Sequence, residues 1–275
     1  MDAHRASRGF VIWTALALLA VGAARAHDFW IEPGSYAPAV GATIPIRLRV
    51  GEHFAGEPFV RRPDRIEWFA TVGPNGETPV PGEPGADPAG SLRLERAGIH
   101  VIGYRSRQSF IELSALQFEQ YLKDEGLGRI LELRAARGEK QKRARELYSR
   151  CAKSLVSAGV AKSGGHDRVL GFPLELIPET NPYSLGGRGA LPVRLLFRGS
   201  PLAGAQVAAI SRQDPRVVVT ARTDADGRVT LALDRSGAWL IKSIHMFEST
   251  DRLKADWESL WASLTFEIPG GVPHP

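Results

Sequence analysis

Thr43-Ile44-Pro45-Ile46-Arg47-Leu48-Arg49-Val50 decides the fold class. Ile44, Ile46, Leu48 and Val50 alternate with Arg47 and Arg49, the period-two pattern of a strand with one face on a core. Upstream, His27 to Pro33 reads as a short extended segment, with Phe29 and Ile31 on one face and Asp28 and Trp30 on the other. Downstream, Gly51 to Pro58 reads as a loop and Arg65 to Val72 as the next strand. Pro74 to Gly90 is Pro/Gly-rich and predicts a long surface turn. Ser91 to Glu95 and Ile99 to Arg105 read as an antiparallel pair turning at Ala97-Gly98. Short strands at this spacing predict a β-sandwich over residues 27–112.

The texture changes near Glu112. Ser114 to Gly159 lacks proline and is rich in Leu, Ala, Glu, Lys and Arg, all strong helix formers. Leu116, Phe118, Tyr121 and Leu122 fit one helical face, and Leu127, Ile130, Leu131 and Leu133 continue it beyond Gly126-Leu127-Gly128. A third helix is expected over Glu139 to Ser157, with Leu147, Tyr148, Cys151, Leu155 and Val156 as its apolar side. Residues 113–160 are therefore predicted to be a helical insert, with Lys140, Lys142, Arg143 and Arg145 as a solvated face. Residues 161–189 have little periodicity and read as an extended linker. Residues 190–268 offer seven short strands, the size of an immunoglobulin-like sandwich. Asp224-Ala225-Asp226-Gly227 is its clearest turn, read as a tight hairpin between Val217 to Thr223 and Arg228 to Leu233 rather than as a calcium loop. The predicted architecture is mainly β: two β-sandwich domains with an α-helical insert between them.

The first 26 residues read as a signal peptide. Arg5 and Arg8 precede an apolar run from Phe10 to Ala20, and Ala24-Arg25-Ala26 is a small-x-small cleavage site. The run is too short for a transmembrane helix, which needs about 20 residues, and no later segment is long or apolar enough. The mature chain is expected to be exported. Cleavage would remove Arg5, Arg8, Arg25 and Asp2 from the 35 basic and 30 acidic residues, taking the net charge from +5 to +3. The charges are mixed, without a basic arm interleaved with aromatics, so nucleic-acid binding is not expected. The single cysteine, Cys151, excludes an internal disulfide.

No nucleophile elbow, P-loop, His-Glu-x-x-His or dinucleotide fingerprint is present, and no enzymatic activity is expected. The histidines carry the remaining signal. Cleavage after Ala26 would leave His27 with a free amine beside its imidazole, a chelating pair suited to Cu(II), Ni(II) and Zn(II). His245 is the first-choice partner: it is in phase with Trp239 and Ile241 but stands at a strand end. Together the two would form a T-shaped brace of two imidazoles and one amine. His53, in a loop after a strand, is the second choice. His100 is in phase with Ile102 and Tyr104 and is expected to face the core, His166 lies in a Gly-rich loop, and His274 lies in a Gly/Pro tail.

His27-Asp28-Phe29-Trp30-Ile31-Glu32-Pro33 resembles the start of a family of periplasmic domains of unknown function whose members are labelled nickel- or cobalt-uptake proteins. Arg49-Val50-Gly51 with Phe54 and Gly56, Glu125-Gly126-Leu127, Tyr148-Ser149-Arg150 with Ala152-Lys153, Asn181-Pro182-Tyr183, His245-Met246 and Trp261-Ala262-Ser263-Leu264-Thr265-Phe266 are similar to it as well. The resemblance implies a periplasmic accessory to metal import that passes nickel or cobalt to a membrane metal transporter, with copper or zinc as further candidates. It carries a metal role to His27 and to His245-Met246. Two other functions fit the residues: a metal-free cell-envelope binding or structural module, and a copper histidine-brace oxidative enzyme.

Overall fold

β1 (Asp28–Pro33) and β2 (Thr43–Glu52) pair antiparallel, with Asp28 opposite Gly51 and Pro33 opposite Ile46. The computed structural model in which they are seen describes residues 27–159 and 164–270. The segment read as a signal peptide, the expected cleavage site after Ala26, and His274 lie outside those residues. β3 (Ala55–Pro58), β4 (Ile66–Gly73), β5 (Gly76–Pro79), β6 (Gly90–Arg93), β7 (Gly98–Ser106) and β8 (Ser109–Leu113) follow. Two helices, α1 (Ala115–Asp124) and α2 (Gly128–Ala136), then precede β9 (Ala144–Ala158). The second half supplies β10 (Leu174–Pro178), β11 (Gly189–Phe197), β12 (Ser200–Pro201), β13 (Gln206–Ser211), β14 (Val218–Arg222), β15 (Arg228–Leu233), β16 (Gly237–Glu248) and β17 (Trp257–Ile268).

These strands form three sheets. A nine-stranded sheet runs β14-β13-β16-β17-β9-β7-β4-β5, with β8 also paired to β9. One four-stranded sheet contains β1, β2, β3 and β6, and the other β10, β11, β12 and β15. Alternate residues of the large sheet point to opposite cores. Ile102, Tyr104, Ala152 and Val156 pack with Phe29, Ile31, Ile46 and Leu48 of the first small sheet. Val101, Leu155, Ile241 and Leu264 pack with Leu176, Val193, Leu195 and Leu231 of the second. The helices cover the first face further along, where Phe118, Tyr121 and Leu122 meet Ile244, Met246 and Trp257. A mainly β, layered fold is thus present, and the two sandwiches are built on one shared sheet.

β9 joins the halves. It pairs antiparallel with β7 and parallel with β17. The third helix expected over Glu139 to Ser157 does not form; most of it is this 15-residue strand. Both faces of β9 are covered, so the alternation that marks a half-exposed strand is missing from its sequence. The buried charge of Lys153 is satisfied internally. Lys153 is 1 % exposed, and its Nζ donates to Glu175 Oε1 and to the Arg168 carbonyl, both at 2.8 Å. Glu175 also accepts from the backbone N–H groups of Leu170, Gly171 and Phe172. Burial holds the Lys153 ammonium below its ordinary range, against the pull of Glu175.

Three further expectations change. The pair proposed for Ser91 to Glu95 and Ile99 to Arg105 is not made: β6 joins β2, while β7 lies between β4 and β9. The turn at Asp224 forms, with Asp224 Oδ1 accepting from the N–H groups of Asp226 and Arg228. Its flanking strands diverge, however, β14 to β13 in the large sheet and β15 to β11 in a small one. The segment read as a linker over 161–189 contains β10, all five of whose residues are buried. Among the described residues no helix is long and apolar enough to cross a membrane.

Candidate functional site

A cleft of about 730 Å³ opens where the β1–β2 end faces α1 across the large sheet. Ala208 and Ile210 of β13 and Lys242 of β16 form its floor, α1 supplies Gln117, Gln120, Tyr121 and Asp124, and Asp28, Glu52 and His53 form the opposite wall. Local sequence explains both walls. Ser114 and Gln117 make a reciprocal capping box that fixes the start of α1. On the other side, Glu52 is opposite Ala55, which makes His53-Phe54 the two central residues of a hairpin turn. Both have positive φ, 52° and 58°. A type I′ turn requires this, but Asn-Gly ordinarily supplies it, so two residues with full side chains are held in a strained conformation. Packing offsets the strain: Phe54 is buried, meets Trp30 edge-to-face at 5.4 Å, and carries the Arg212 guanidinium over its ring at 4.3 Å. With Phe54 anchored inward, the same turn leaves His53 exposed on the cleft wall.

The cleft floor holds a charged triad. Lys242 Nζ donates to Asp28 Oδ1 at 2.7 Å and to Glu125 Oε1 at 2.8 Å. Burial pushes both carboxyls above the ordinary range despite the ammonium beside them. Burial works to lower the Lys242 pKa, but its two carboxylate partners outweigh it and the net shift is upward. With Glu52 and Asp124 also lining the walls, four carboxylates face one ammonium, and the cleft attracts cations.

His27 sits at the edge of this cleft, exposed, with Nδ1 3.7 Å from Glu52 Oε1. His53 is close enough to Asp28 to favour its ionised form. His27, Glu52 and His53 are thus neighbours, a grouping produced by the register that sets Asp28 opposite Gly51. His245 is not among them. It lies three residues from Lys242 on one strand, so the two side chains take opposite faces of the sheet. Lys242 reaches β1, whereas the His245 ring packs on Phe197 of β11 at 4.5 Å and on Phe247 at 5.7 Å. Burial, with Arg129 and Arg198 nearby, brings its pKa down to about 4. The His27–His245 brace is therefore not assembled, because the strand carrying His27 docks on the other side of β16. Among the described residues no three side chains of His, Cys, Asp or Glu are arranged to hold a metal ion. His100 is buried with Nε2 2.9 Å from the Arg96 carbonyl. Cys151 is buried, and its thiol is pushed up to about 12, mainly by burial.

Sequence reasoning missed Lys242 and Glu125 as members of the site. Asp28 was legible as the residue opposite Phe29, but its partner Lys242 lies 214 residues away.

The fold and cleft define a layered, mainly β protein with an acidic groove between a strand pair and a helix. The chain belongs to the family described as "Domain of unknown function (DUF4198)", which matches residues 24–246. That span includes every residue lining the cleft. No curated protein matches the chain. Among solved structures it is similar to the "D0-D1 domain of Intimin", at 13 % identity over 87 % of this chain and 97 % of that one, with a TM-score of 0.21.

Proposed function

We propose that the protein is an exported, periplasmic binding protein that takes up a divalent transition metal, nickel or cobalt first, at the lip of this cleft and passes it to a membrane transporter. The metal is cargo, not a resident cofactor. The observation that carries the reading is the grouping of His27, Glu52 and His53 above an acidic groove. The three side chains are not preset as a ligand cluster, so a metal would draw the two imidazoles together, and an α-amino group on His27 would complete a chelate suited to borderline metals. Asp28 and Glu125 are engaged by Lys242, so the imidazoles of His27 and His53 are the donors the reading rests on.

The test is calorimetric titration of Ni²⁺, Co²⁺, Cu²⁺ and Zn²⁺ into protein beginning at His27, beside three variants: one extra Gly ahead of His27, His53→Ala, and His245→Ala. The lip site predicts that the first two lose binding and the third keeps it. Affinity should also fall as pH drops through the histidine range, because the ligands must be unprotonated. Binding that survives both the extra Gly and His53→Ala would refute the site. No binding in any of the four would leave a metal-free envelope module as the better reading.

A further inference from the structure

A second pocket, of about 450 Å³, is enclosed by β7, β8, β9 and the chain after β3, and shares only the large sheet with the cleft. The charged residues that line it are all basic: Arg62, Arg65 and Arg150. Of the carboxylates near it, Asp64 lies 3.4 Å from Arg62 and 3.5 Å from Arg65, and Glu258 accepts from Gln108 at 3.4 Å. Arg150 is the innermost. Its guanidinium lies over the rings of Phe29 at 4.8 Å, Phe59 at 5.1 Å and Tyr148 at 5.4 Å, and no carboxylate among the described residues pairs with it. A guanidinium does not shed its proton, so it must be stabilised where it stands, and ring faces replace only part of what water or a carboxylate supplies. Tyr104 lines the same pocket. Its side chain is fully buried, and its hydroxyl has no hydrogen-bond partner among the described residues. A buried donor without an acceptor is uncommon in a folded protein and calls for a specific explanation.

We propose that this pocket binds a small organic anion, whose carboxylate or phosphate-ester oxygens take the hydrogen bonds of Arg150, Arg65 and the Tyr104 hydroxyl. The planar fork of an arginine matches both head groups. The aromatic walls, with Phe110 at the rim 54 % exposed, give an apolar or flat body something to lie against. The space is also several times what a bare phosphate ion fills. This site is independent of the metal reading, since no residue lines both pockets.

The experiment is calorimetric titration of benzoate, phenyl phosphate and inorganic phosphate into the wild type, Arg65→Gln and Tyr104→Phe. Arg65 is substantially exposed and Tyr104→Phe removes only an unpartnered hydroxyl, so both variants should fold; Arg150 is left intact. The wild type should bind one of the two aromatic anions more tightly than inorganic phosphate, and the tighter of the two identifies the head group. Arg65→Gln should weaken that binding roughly tenfold and reduce its salt dependence. Tyr104→Phe should weaken it several-fold while leaving the ligand-free melting temperature unchanged or higher. Equal affinity in all three proteins would overturn the proposal, as would no binding of either aromatic anion at concentrations of about 1 mM, where Kd corresponds to roughly 4 kcal/mol. Inorganic phosphate bound as tightly as phenyl phosphate would overturn the role given to the aromatic walls.

Discussion

Glu146→Gln should remove part of the stability that this protein loses as pH rises. Glu146 lies on β9 beneath α1 and is 1 % exposed. Its Oε1 accepts from the Tyr121 hydroxyl at 3.2 Å and from the Ser259 hydroxyl, which itself accepts from Trp261 Nε1 at 2.8 Å. No basic side chain among the described residues pairs with it, and burial pushes its carboxyl up to about 7 against those hydrogen bonds. An exposed glutamate in the unfolded chain titrates near 4.5. Between these values the folded protein holds a proton that the unfolded chain has released. The stabilisation this gives is fully present below 4.5, is lost as pH rises, and is gone above about 7. The interval corresponds to about 3 kcal/mol, at 1.36 kcal/mol for each tenfold change in the proton equilibrium. Glutamine keeps the shape and an acceptor oxygen for Tyr121 and Ser259, and it does not titrate. Urea unfolding of both proteins at half-unit steps from pH 4.5 to 8 is the assay. Subtracting wild type from variant cancels the other ionisable groups, Asp28 and Glu125 included. The difference should shift in favour of the variant by about 3 kcal/mol across the range. A difference that stays flat, or moves the other way, would refute the reasoning that burial governs this carboxyl.

Lys242→Met should cost about 3 kcal/mol or more at neutral pH, because it leaves Asp28 and Glu125 buried without their cation. Both carboxyls already titrate above the ordinary range, so part of the loss should be regained as pH falls and they protonate; denaturant midpoints at two pH values check both parts. Gly103→Ala should destabilise by about 1–3 kcal/mol. Its added Cβ would stand 2.6 Å from Leu170, 2.7 Å from Trp68 and 2.8 Å from Phe172, and a drop in melting temperature is the readout. Cys151 is buried with its thiol pushed up to about 12, so a thiol reagent should label the native protein no faster than it unfolds and should label it at once in denaturant.

How far the sequence could be read depended on how many sides of an element touch water. β2 has one covered face, and Ile44, Ile46 and Leu48 announced it while Pro45, Arg47 and Arg49 remained half-exposed. All of the last eight residues of β9 are buried, on both faces, yet its Leu, Ala, Arg, Lys and Glu content favours a helix in isolation. The apolar stripe assigned to that helix is in fact divided: Leu155 enters one core and Val156 the other. Lys153 and Glu146 look like solvent-facing helix charges until their partners, Glu175 and Ser259, are brought in by the fold. The same limit governed the site. That His245 is in phase with Trp239 and Ile241 was visible in the sequence, and so was the placing of Asp28 opposite Phe29. What could not be read was the side of β16 on which β1 docks. The Asp28–Lys242 contact settles it: a strand gives residues 242 and 245 to opposite faces, so whatever meets Lys242 at close range is separated from His245 by the sheet itself. One long-range ion pair thereby removes His245 from the site and leaves His53, held in its strained turn by the burial of Phe54, as the histidine that shares a surface with His27.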